Sequence, residues 1–379
     1  MKRWLTLVSI FLFLAGCASQ SVKKARSELD ILYISELPRS DAEFSALYSS
    51  IKSFNKPLVI IDDSSFSTLA DLAWWEGEKE LFLCDTLGAD IFLPPSTWLY
   101  LGAEKLKQLS AEADFFIVSL NLCDDSMRYP LPRYMIRTQS PYRLAFSAAA
   151  PAFPEGMGSA GLKFLDTDSL LPVTASFLAL QSDYFFFFNT DSLNKAASGI
   201  ESISRGGRSR DLTLSIQSAR EFRLKEKPIR PAGQSTLNPY SLWSAKVDSM
   251  DSEIIGFSAQ GIGRDSLRTL AENILKSASQ EGAIVYLGDG FVRDSLPAGD
   301  ITFGQMRRIF SPEIFLAVSS EDYIASAGEN KKDLGLNVKE VIVPSSLFVG
   351  NMAFEGVQAR PTGLVSGWLA KQMFAKEDD

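Results

Sequence analysis

Short apolar runs alternate with amphipathic stretches along the first half of the chain. Five of these runs have the length and the β-branched or aromatic content of buried strands. Between the runs, apolar residues recur with the spacing of a helix face, as Phe44, Leu47 and Ile51 do. The predicted strands are Ile31–Ile34, Leu58–Ile61, Ile91–Leu93, Phe115–Leu120 and Tyr184–Phe188, and the predicted helices are Asp41–Phe54, Leu69–Leu87 and Glu104–Glu112. This alternation indicates an α/β layered domain.

The pattern changes in the second half of the chain. Residues 199–210 are rich in glycine, serine and arginine, which predicts a loop. Ser266–Ala278 has the amphipathic pattern of a helix, and we expect this helix to pack against a second domain. From Val285 onward, loops surround short strands, and Gly363–Phe374 is predicted to be a helical tail. A domain boundary is therefore expected between residues 245 and 262.

The first seventeen residues have the layout of an export signal. Lys2 and Arg3 precede an apolar run, and Leu-Ala-Gly comes directly before Cys17. This ending resembles the bacterial lipobox, in which cleavage precedes the cysteine and the thiol is lipidated. A transmembrane anchor is the alternative, but the apolar run is too short to cross roughly 30 Å of hydrocarbon. We expect a signal peptide over residues 1–16 and a polar tether over residues 17–29.

A lipid anchor at Cys17 would place the protein in the bacterial cell envelope, in the periplasm or on the outer surface. No other segment is long and apolar enough to cross a membrane. Export also allows a disulfide between Cys84 and Cys123. The alternative is that both cysteines are buried as small hydrophobic side chains.

Composition excludes several classes of function. The formal net charge is −8 and the pI is near 5.0, whereas a nucleic-acid partner requires a basic face. The chain contains no histidine. Catalysis by a Ser-His-Asp triad or a Cys-His pair is therefore excluded, and so are zinc and di-metal sites that use imidazole ligands.

Several polar residues follow the predicted strands. Glu36 comes after the first strand, Asp62 and Asp63 after the second, and Asn121 after the fourth. In open α/β sheets, ligands bind beyond the carboxyl ends of the strands. The oxygens of these four residues could hold one hard divalent cation. The alternative is that Asp62 and Asp63 cap the next helix and begin a turn.

A motif near the C-terminus carries a resemblance to a known family. Gly288–Thr302 reads GDGFVRDSLPAGDIT, which is similar to the signature N-G-G-x-x-R-x-x-L-x-x-G-x-I-T of the 5′-nucleotidase family. That family joins a calcineurin-like metallophosphoesterase domain to a 5′-nucleotidase C-terminal domain. The resemblance implies an α/β fold with a layered metallophosphoesterase-like β-sandwich, flanked by helices, over residues 30–250. It implies a second, smaller and shortened α/β domain over residues 251–379.

The N-terminal half follows the order of the family motifs but lacks their metal ligands. The replacements are Glu36 and Pro38 for the Asp and His of D-x-H-G, Ser65 for the metal-bridging Asp, Ser96, Thr97 and Trp98 for the Asn, His and Glu of G-N-H-E, and Asn189 for the His of L-S-H. Asn121 matches an Asn of the family. Serine, threonine, tryptophan and proline do not supply the ligand field that a two-metal site needs. The comparison therefore implies that hydrolysis by the family mechanism is lost and that no cofactor is held.

In the family, the C-terminal domain binds the base and the phosphate side of a nucleotide. Arg293 matches the arginine of the signature and could bind a phosphate or carboxylate through two hydrogen bonds, whereas Asp289 would repel an anion. The base-stacking Phe of the family is Pro312 in this chain. Phe310 and Phe315 lie beside it in sequence, and they either replace that Phe or belong to the core.

Three functions follow from these observations. The first is a lipid-anchored, non-catalytic protein that binds or scaffolds a nucleotide or protein partner and contacts the membrane through Cys17. The second is an active nucleotidase or phosphoesterase that holds a divalent metal on Glu36, Asp62, Asp63 and Asn121. The third is a nucleotide- or nucleoside-binding lipoprotein that needs no metal. An open cavity at Arg293 would favour the third function over the first, and a buried ion pair would favour the first.

Overall fold

The computed structural model of the chain describes residues 28–34, 37, 41–54, 56–62, 68–139, 142–150, 153, 161–189, 199–205, 213–218, 239–280, 282–288, 290–327, 338–348 and 357–374. The described strands are β1 (Glu28–Ile34), β2 (Leu58–Ile61), β3 (Ile91–Phe92), β4 (Phe116–Ile117), β5 (Leu122–Asp124), β6 (Met135–Gln139), β7 (Tyr142–Ala149), β8 (Leu162–Phe164), β9 (Tyr184–Asn189), β10 (Gly199–Arg205), β11 (Thr213–Ser218), β12 (Ile254–Ser258), β13 (Ala283–Val285), β14 (Gly299–Thr302), β15 (Ile314–Ser319), β16 (Glu340–Pro344) and β17 (Ala359–Val365). The described helices are α1 (Asp41–Ser53), α2 (Leu69–Trp75), α3 (Glu78–Leu87), α4 (Gly102–Glu112), α5 (Thr167–Ala179), α6 (Pro239–Asp251), α7 (Arg264–Ala278), α8 (Phe303–Ile309), α9 (Ser320–Ala327), α10 (Ser345–Phe348) and α11 (Ser366–Met373), with a 3₁₀ helix at Ser96–Leu101.

The chain has the mixed α/β architecture that its pattern predicts. Several residues named above lie outside the described part: the segment 1–27 with Cys17, and also Glu36, Pro38, Asp63, Ser65, Asp289 and the side chain of Asn189. Strand β1 begins at Glu28, inside the predicted tether 17–29. In the part of the chain that the structure describes, we find no helix with the length and apolar character of a membrane span.

A five-stranded parallel sheet lies at the centre of the N-terminal half (residues 28–251). Its strand order is β11-β1-β2-β3-β4. Side chains alternate between its two faces, so Ile31 and Tyr33 pack on one side while Leu32 and Ile34 pack on the other. Both faces are buried, which explains why these strands are continuous apolar runs in the sequence.

A second sheet of order β10-β9-β7-β6 covers one face of the parallel sheet. Phe186 and Phe188 of β9 share a core with the parallel sheet, and the Phe188 ring stacks on Tyr33 at 5.9 Å. Phe185 and Phe187 face the opposite way, toward α5. The predicted buried central strand is therefore confirmed, and the two sheets form a sandwich.

The predicted loop at 199–210 is wrong for residues 199–205. These residues form β10, an edge strand that pairs antiparallel with β9. Their serine and glycine content suggested a loop, but edge strands tolerate polar composition because one of their sides is not covered by another strand.

Helices α1 to α4 and the 3₁₀ helix cover the other face of the parallel sheet. The single helix predicted over Leu69–Leu87 is two helices, because the backbone turns left-handed at Glu76 (φ 50°) and Gly77 (φ 91°). A Cβ atom at Gly77 would lie 2.8 Å from Leu109 Cδ1. Glycine therefore suits this position both for its dihedral angle and for the close approach of α4.

The C-terminal half (residues 254–374) is built on a sheet of order β13-β16-β15-β17. Leu316 and Val318 of β15 face the helices of the N-terminal half, whereas Phe315 and Ala317 face α7, α8 and α11. The predicted amphipathic helix at Ser266–Ala278 is present as α7. The helical tail predicted to begin at Gly363 begins at Ser366, because the preceding residues pair with β15 as β17.

The two halves share their hydrophobic core, since two clusters of buried residues each contain side chains from both halves. Gly367 of α11 lies against α2, where a Cβ atom would come within 2.5 Å of the Trp74 carbonyl oxygen. Beside this contact, the Trp75 ring packs edge-on against Trp243 at 5.5 Å and lies 5.8 Å from Phe303. Arg307 covers Trp75 and forms an ion pair with Asp251. The boundary predicted at residue 250 falls at the end of α6, which packs against both halves.

The two cysteines that the structure describes are buried and form no disulfide. Cys84 belongs to the core beneath α3. Cys123 lies in β5, with its Sγ 3.9 Å from the sulfur of Met127. Of the two alternatives left open by the sequence, the structure has the one in which both are small buried side chains.

Candidate functional site

The residues that follow the parallel strands pack against, or form hydrogen bonds with, other parts of the fold. We call Asp62, Trp98 and Asn121 the strand-end face, because they follow β2, β3 and β4. Trp98 is the residue that the sequence resemblance aligns with the Glu of G-N-H-E. Its side chain is completely buried, with the indole ring 5.0 Å from Phe92. A large apolar ring therefore fills the space at this position.

Asp62 is bound to the sheet itself. Its backbone N–H donates to the Ile34 carbonyl oxygen at 2.8 Å, and Tyr33 donates its hydroxyl to the Asp62 carboxylate. Burial, together with the negative charge of Asp62, raises the pKa of Tyr33 well above its ordinary value. Asp62 does not cap the next helix, because the N-cap of α2 is Thr68, whose side chain accepts from the Asp71 N–H.

Asn121 supports the neighbouring chain segments. It is buried, and its Oδ1 accepts a hydrogen bond from the Ala150 N–H at 2.7 Å. Its carbonyl oxygen accepts from the Leu165 N–H at 2.8 Å. The side-chain oxygen that could have bound a cation is therefore satisfied by the backbone at the end of β7.

These residues do not fit a di-metal centre. Within the described residues, no three cysteine, aspartate or glutamate side chains lie close enough together to hold a metal ion. Of the predicted oxygen ligands, Asp62 and Asn121 have partners in the fold, and Glu36 and Asp63 lie outside the described residues. The indole of Trp98 is not a metal ligand, and the chain has no histidine to supply imidazole ligands.

A cavity of about 400 Å³ lies in the C-terminal half. Three chain segments form its wall: the loop after β13, the segment that leads into β15, and the junction of β16 with α10. We call it the C-terminal cavity, and its lining residues are Gly288, Gly290, Phe291, Arg293, Ser311, Pro312, Glu313, Pro344 and Ser346. The signature-like motif and the segment around Pro312 thus face the same space.

Backbone hydrogen bonds hold the first two segments together. The Phe291 N–H donates to the Gly288 carbonyl oxygen at 3.0 Å, which closes a turn, and the Ser311 N–H donates to the Phe291 carbonyl oxygen at 2.9 Å. The Arg293 N–H donates to the Ile309 carbonyl oxygen at 2.7 Å. The Ser311 hydroxyl adds a bond to the Gly290 carbonyl oxygen at 3.0 Å. The loop that carries Arg293 is therefore fixed to the wall.

The aromatic side chain in the cavity wall is Phe291. Phe310 and Phe315 lie behind it, with their ring centroids 5.2 Å and 5.6 Å from the Phe291 ring. These two side chains are 1% and 0% exposed and belong to the core beneath α7 and α8. Phe291 occupies an unspecified position of the family signature, so the sequence comparison did not single it out.

Arg293 is exposed and lines the cavity. Among the residues that the structure describes, no carboxylate forms an ion pair with its guanidinium. Asp289, the residue expected to repel an anion, lies outside the described part. Of the two alternatives for Arg293, an open cavity or a buried ion pair, the structure has the open cavity. This cavity is large enough for a small molecule.

Glu313 was not singled out by the sequence. Its side chain lines the cavity although the residue is only 5% exposed. Its Oε2 accepts hydrogen bonds from the Ser345 hydroxyl and from the Ser346 N–H, each at 2.9 Å. Its backbone N–H is held by the Ser366 hydroxyl at 2.9 Å. An acidic residue directly before a buried strand is the one signal in the sequence that could have identified it.

The structure is similar to solved nucleotidases. The similarity to the NAD nucleotidase of Haemophilus influenzae has a TM-score of 0.49 at 12% identity, over 91% of this chain and 96% of that chain. The 5′-nucleotidase precursor of Thermus thermophilus gives 0.40 at 11% identity, over 89% and 92%. The 5′-nucleotidase of Candida albicans gives 0.35 at 12% identity, over 92% and 98%. No protein-family model and no curated protein matches the sequence. The activity of this chain has to be argued from its own residues.

Proposed function

We propose that this chain is a lipid-anchored binding protein of the bacterial cell envelope. Its ligand site is the C-terminal cavity, and its strand-end face carries out no di-metal hydrolysis. The observation that carries the proposal is the Arg293 guanidinium, which lines the cavity without an ion-pair partner among the described residues.

An arginine in this position selects a ligand with an anionic group. The guanidinium presents a planar set of N–H donors that matches a carboxylate or a phosphate through two parallel hydrogen bonds. The glycines of the loop leave room for such a ligand, since a Cβ atom at Gly288 or Gly290 would meet no other atom within 4 Å. The ligand can therefore approach the backbone of the loop closely.

The absence of hydrolysis rests on the strand-end face. Trp98 fills space with an indole, Asn121 uses its side-chain oxygen on a backbone N–H, and Asp62 accepts from Tyr33. A two-metal mechanism requires several free anionic or imidazole ligands a few ångströms apart. The residues of this face have other structural roles.

The location rests on the lipobox-like ending at Cys17. Lipidation of that cysteine would hold the cavity at a membrane surface, and the polar residues after it would act as a tether. Metabolic labelling with a radioactive fatty acid tests this part, since Cys17→Ser should remove the label and release the protein from the membrane fraction.

Calorimetry in the presence of EDTA tests ligand binding. The probes are AMP, inorganic phosphate and acetate, applied to residues 18–379. We expect binding of at least one anion without metal, and about a tenfold or larger loss of affinity in Arg293→Ala, because a charge-assisted hydrogen bond contributes about 1.5–3 kcal/mol. Arg308→Ala is the matched control, since Arg308 is exposed in the same half and does not line the cavity. Equal affinity of a bound anion for both variants would refute the proposed site.

Metal stoichiometry and hydrolysis test the other half of the proposal. After dialysis against excess manganese and zinc, followed by washing, we expect close to no bound ions per chain and no release of phosphate from AMP. One or two tightly held ions together with hydrolysis would establish the enzymatic alternative.

A further inference from the structure

We infer that the ligand of the C-terminal cavity is a zwitterion, with an ammonium group that binds Glu313 and an anionic group that binds Arg293. This inference rests on the proposed function and extends it by naming the class of ligand. The observation behind it is that the buried Glu313 and Arg293, whose guanidinium has no ion-pair partner among the described residues, line one cavity.

Among the residues that the structure describes, the Glu313 carboxylate has no cationic partner. Its salt-bridge neighbours would be lysine or arginine side chains, and none of the described ones lies within ion-pair distance of it. Two hydrogen bonds from Ser345 and Ser346 stabilise the carboxylate in part. A carboxylate removed from water still gains from a cation, because burial strengthens charge interactions.

One oxygen of Glu313 is available to a ligand. Both hydrogen bonds from the fold go to Oε2, and Oε1 accepts none from any described residue. Glu313 lines the cavity, and its Oε1 is not among the fully buried polar atoms, so Oε1 is the atom that we expect a ligand in the cavity to contact. An ammonium group, with three N–H donors and no acceptor, is complementary to it.

Arg293 and Glu313 line the same cavity without forming an ion pair with each other. A ligand that carries only an anion would be attracted by Arg293 and repelled by Glu313, and a simple cation would meet the reverse. A zwitterion satisfies both groups. The pair of opposite charges therefore selects against singly charged molecules as well as in favour of doubly charged ones.

The rest of the wall defines the body of the ligand. Phe291, Pro312 and Pro344 supply apolar surface between the polar groups. A volume of about 400 Å³ is at the small end of ligand cavities, which span about 300–1,000 Å³. The fitting class is an amino acid or a short peptide with an apolar or aromatic side chain.

Three compounds with the same phenyl group test this directly. L-phenylalanine carries both charges, 3-phenylpropionate lacks the ammonium group, and phenethylamine lacks the carboxylate. On the unaltered protein, calorimetry should give at least tenfold higher affinity for phenylalanine than for either truncated compound. The dipeptide Gly-Phe is measured beside phenylalanine. The compound that binds with higher affinity shows whether the ligand class is a peptide or a free amino acid.

Glu313→Gln removes the charge, keeps the size of the side chain and leaves one acceptor oxygen for the bonds from Ser345 and Ser346. We expect this variant to bind phenylalanine about tenfold more weakly and to bind 3-phenylpropionate at least as well as before. Glu340→Gln is the control, because Glu340 pairs with Arg360 and does not line the cavity. The comparison of the three compounds on the unaltered protein holds even if Glu313→Gln fails to fold.

The outcomes separate this inference from the proposed function. If 3-phenylpropionate or an anion of the first panel binds through Arg293 and phenylalanine binds no better, the zwitterion inference is refuted and the binding site stands. If no compound of either panel binds, both are refuted.

Discussion

The polar residues of the strand-end face and those of the C-terminal cavity differ in how far the fold satisfies their hydrogen bonds and charges. At the strand-end face, Asp62 and Asn121 are engaged by neighbouring groups of the fold, and Trp98 is sealed in the core. In the cavity, Arg293 is exposed and Glu313 keeps one oxygen free. In the first region, these residues contribute to the stability of the fold. In the second region, the charged groups of Arg293 and Glu313 keep binding capacity that the described residues do not use.

This contrast has a measurable form. Substitutions at the strand-end face should lower the free energy of unfolding without a specific effect on ligand binding. Substitutions in the cavity should change ligand binding and leave the free energy of unfolding nearly constant.

The largest effect is expected for Trp98→Ala. A fully buried aromatic ring is replaced by a methyl group, so the free energy of unfolding should fall by about 3–5 kcal/mol. Urea unfolding followed by circular dichroism measures it. The exposed Phe257 provides the control, since Phe257→Ala should cost about 0.5 kcal/mol or less. A loss below about 1 kcal/mol in Trp98→Ala would mean that the indole occupies an open site.

Asn121→Ala should have the next largest effect. It leaves the buried Ala150 N–H without its acceptor, and an unsatisfied buried donor costs about 1–3 kcal/mol. Asn121→Asp retains an acceptor oxygen at that position and should cost less than the alanine variant. The same urea experiment measures both. Equal stability of Asn121→Ala and the unaltered protein would contradict a structural role for this side chain.

Tyr33→Phe should cost about 1 kcal/mol near neutral pH, since it removes the hydrogen bond to Asp62. The pKa of Tyr33 is raised in the folded protein by burial and by Asp62. The unfolded chain therefore loses this proton first, above pH of about 10, and stability falls as the pH rises from there.

In Tyr33→Phe this proton is absent from both the folded and the unfolded state. Above pH of about 10, the free energy of unfolding of the variant should therefore fall less steeply with pH than that of the unaltered protein. The two slopes should differ by about 1.4 kcal/mol per pH unit. Urea unfolding at pH 8, 10.5 and 11.5 gives both slopes. Parallel slopes would show that the Tyr33 hydroxyl ionises with the same ease in the folded and unfolded chains.

Arg293→Ala should have the smallest effect on stability, below about 0.5 kcal/mol, because the side chain is exposed and has no ion pair among the described residues. Its effect on anion affinity should be tenfold or more, as argued above. A variant that loses both stability and binding would remove the contrast between the two regions.

Much of the fold could be predicted from the alternation of apolar runs. Strand Leu58–Ile61 is present with the predicted bounds, and the helix predicted at Ser266–Ala278 is α7 with two further residues. The break at Gly77 could not be predicted, because it depends on a left-handed backbone and on contact with Leu109. The strand at 199–205 was missed because edge pairing does not require an apolar sequence.

The candidate site could be predicted only in part. The spacing of the signature-like motif Gly288–Thr302 identified Arg293, because the arginine has a fixed position within that motif. The position of Glu313 beside Ser346 depends on the pairing of β15 with β16, about thirty residues further along the chain. Long-range pairing of this kind leaves no local pattern, so the negative half of the cavity could be found only in the folded structure.

The shared core between the two halves has a consequence for how the protein unfolds and is degraded. Leu316 and Val318 of β15 pack against the N-terminal helices, and Gly367 fits against Trp74. A fragment that carries only the C-terminal sheet would expose this apolar face to water and would be prone to aggregation. Heating should therefore melt the chain in one cooperative step. A protease should gain access to both halves together, after global opening, and not to one half alone.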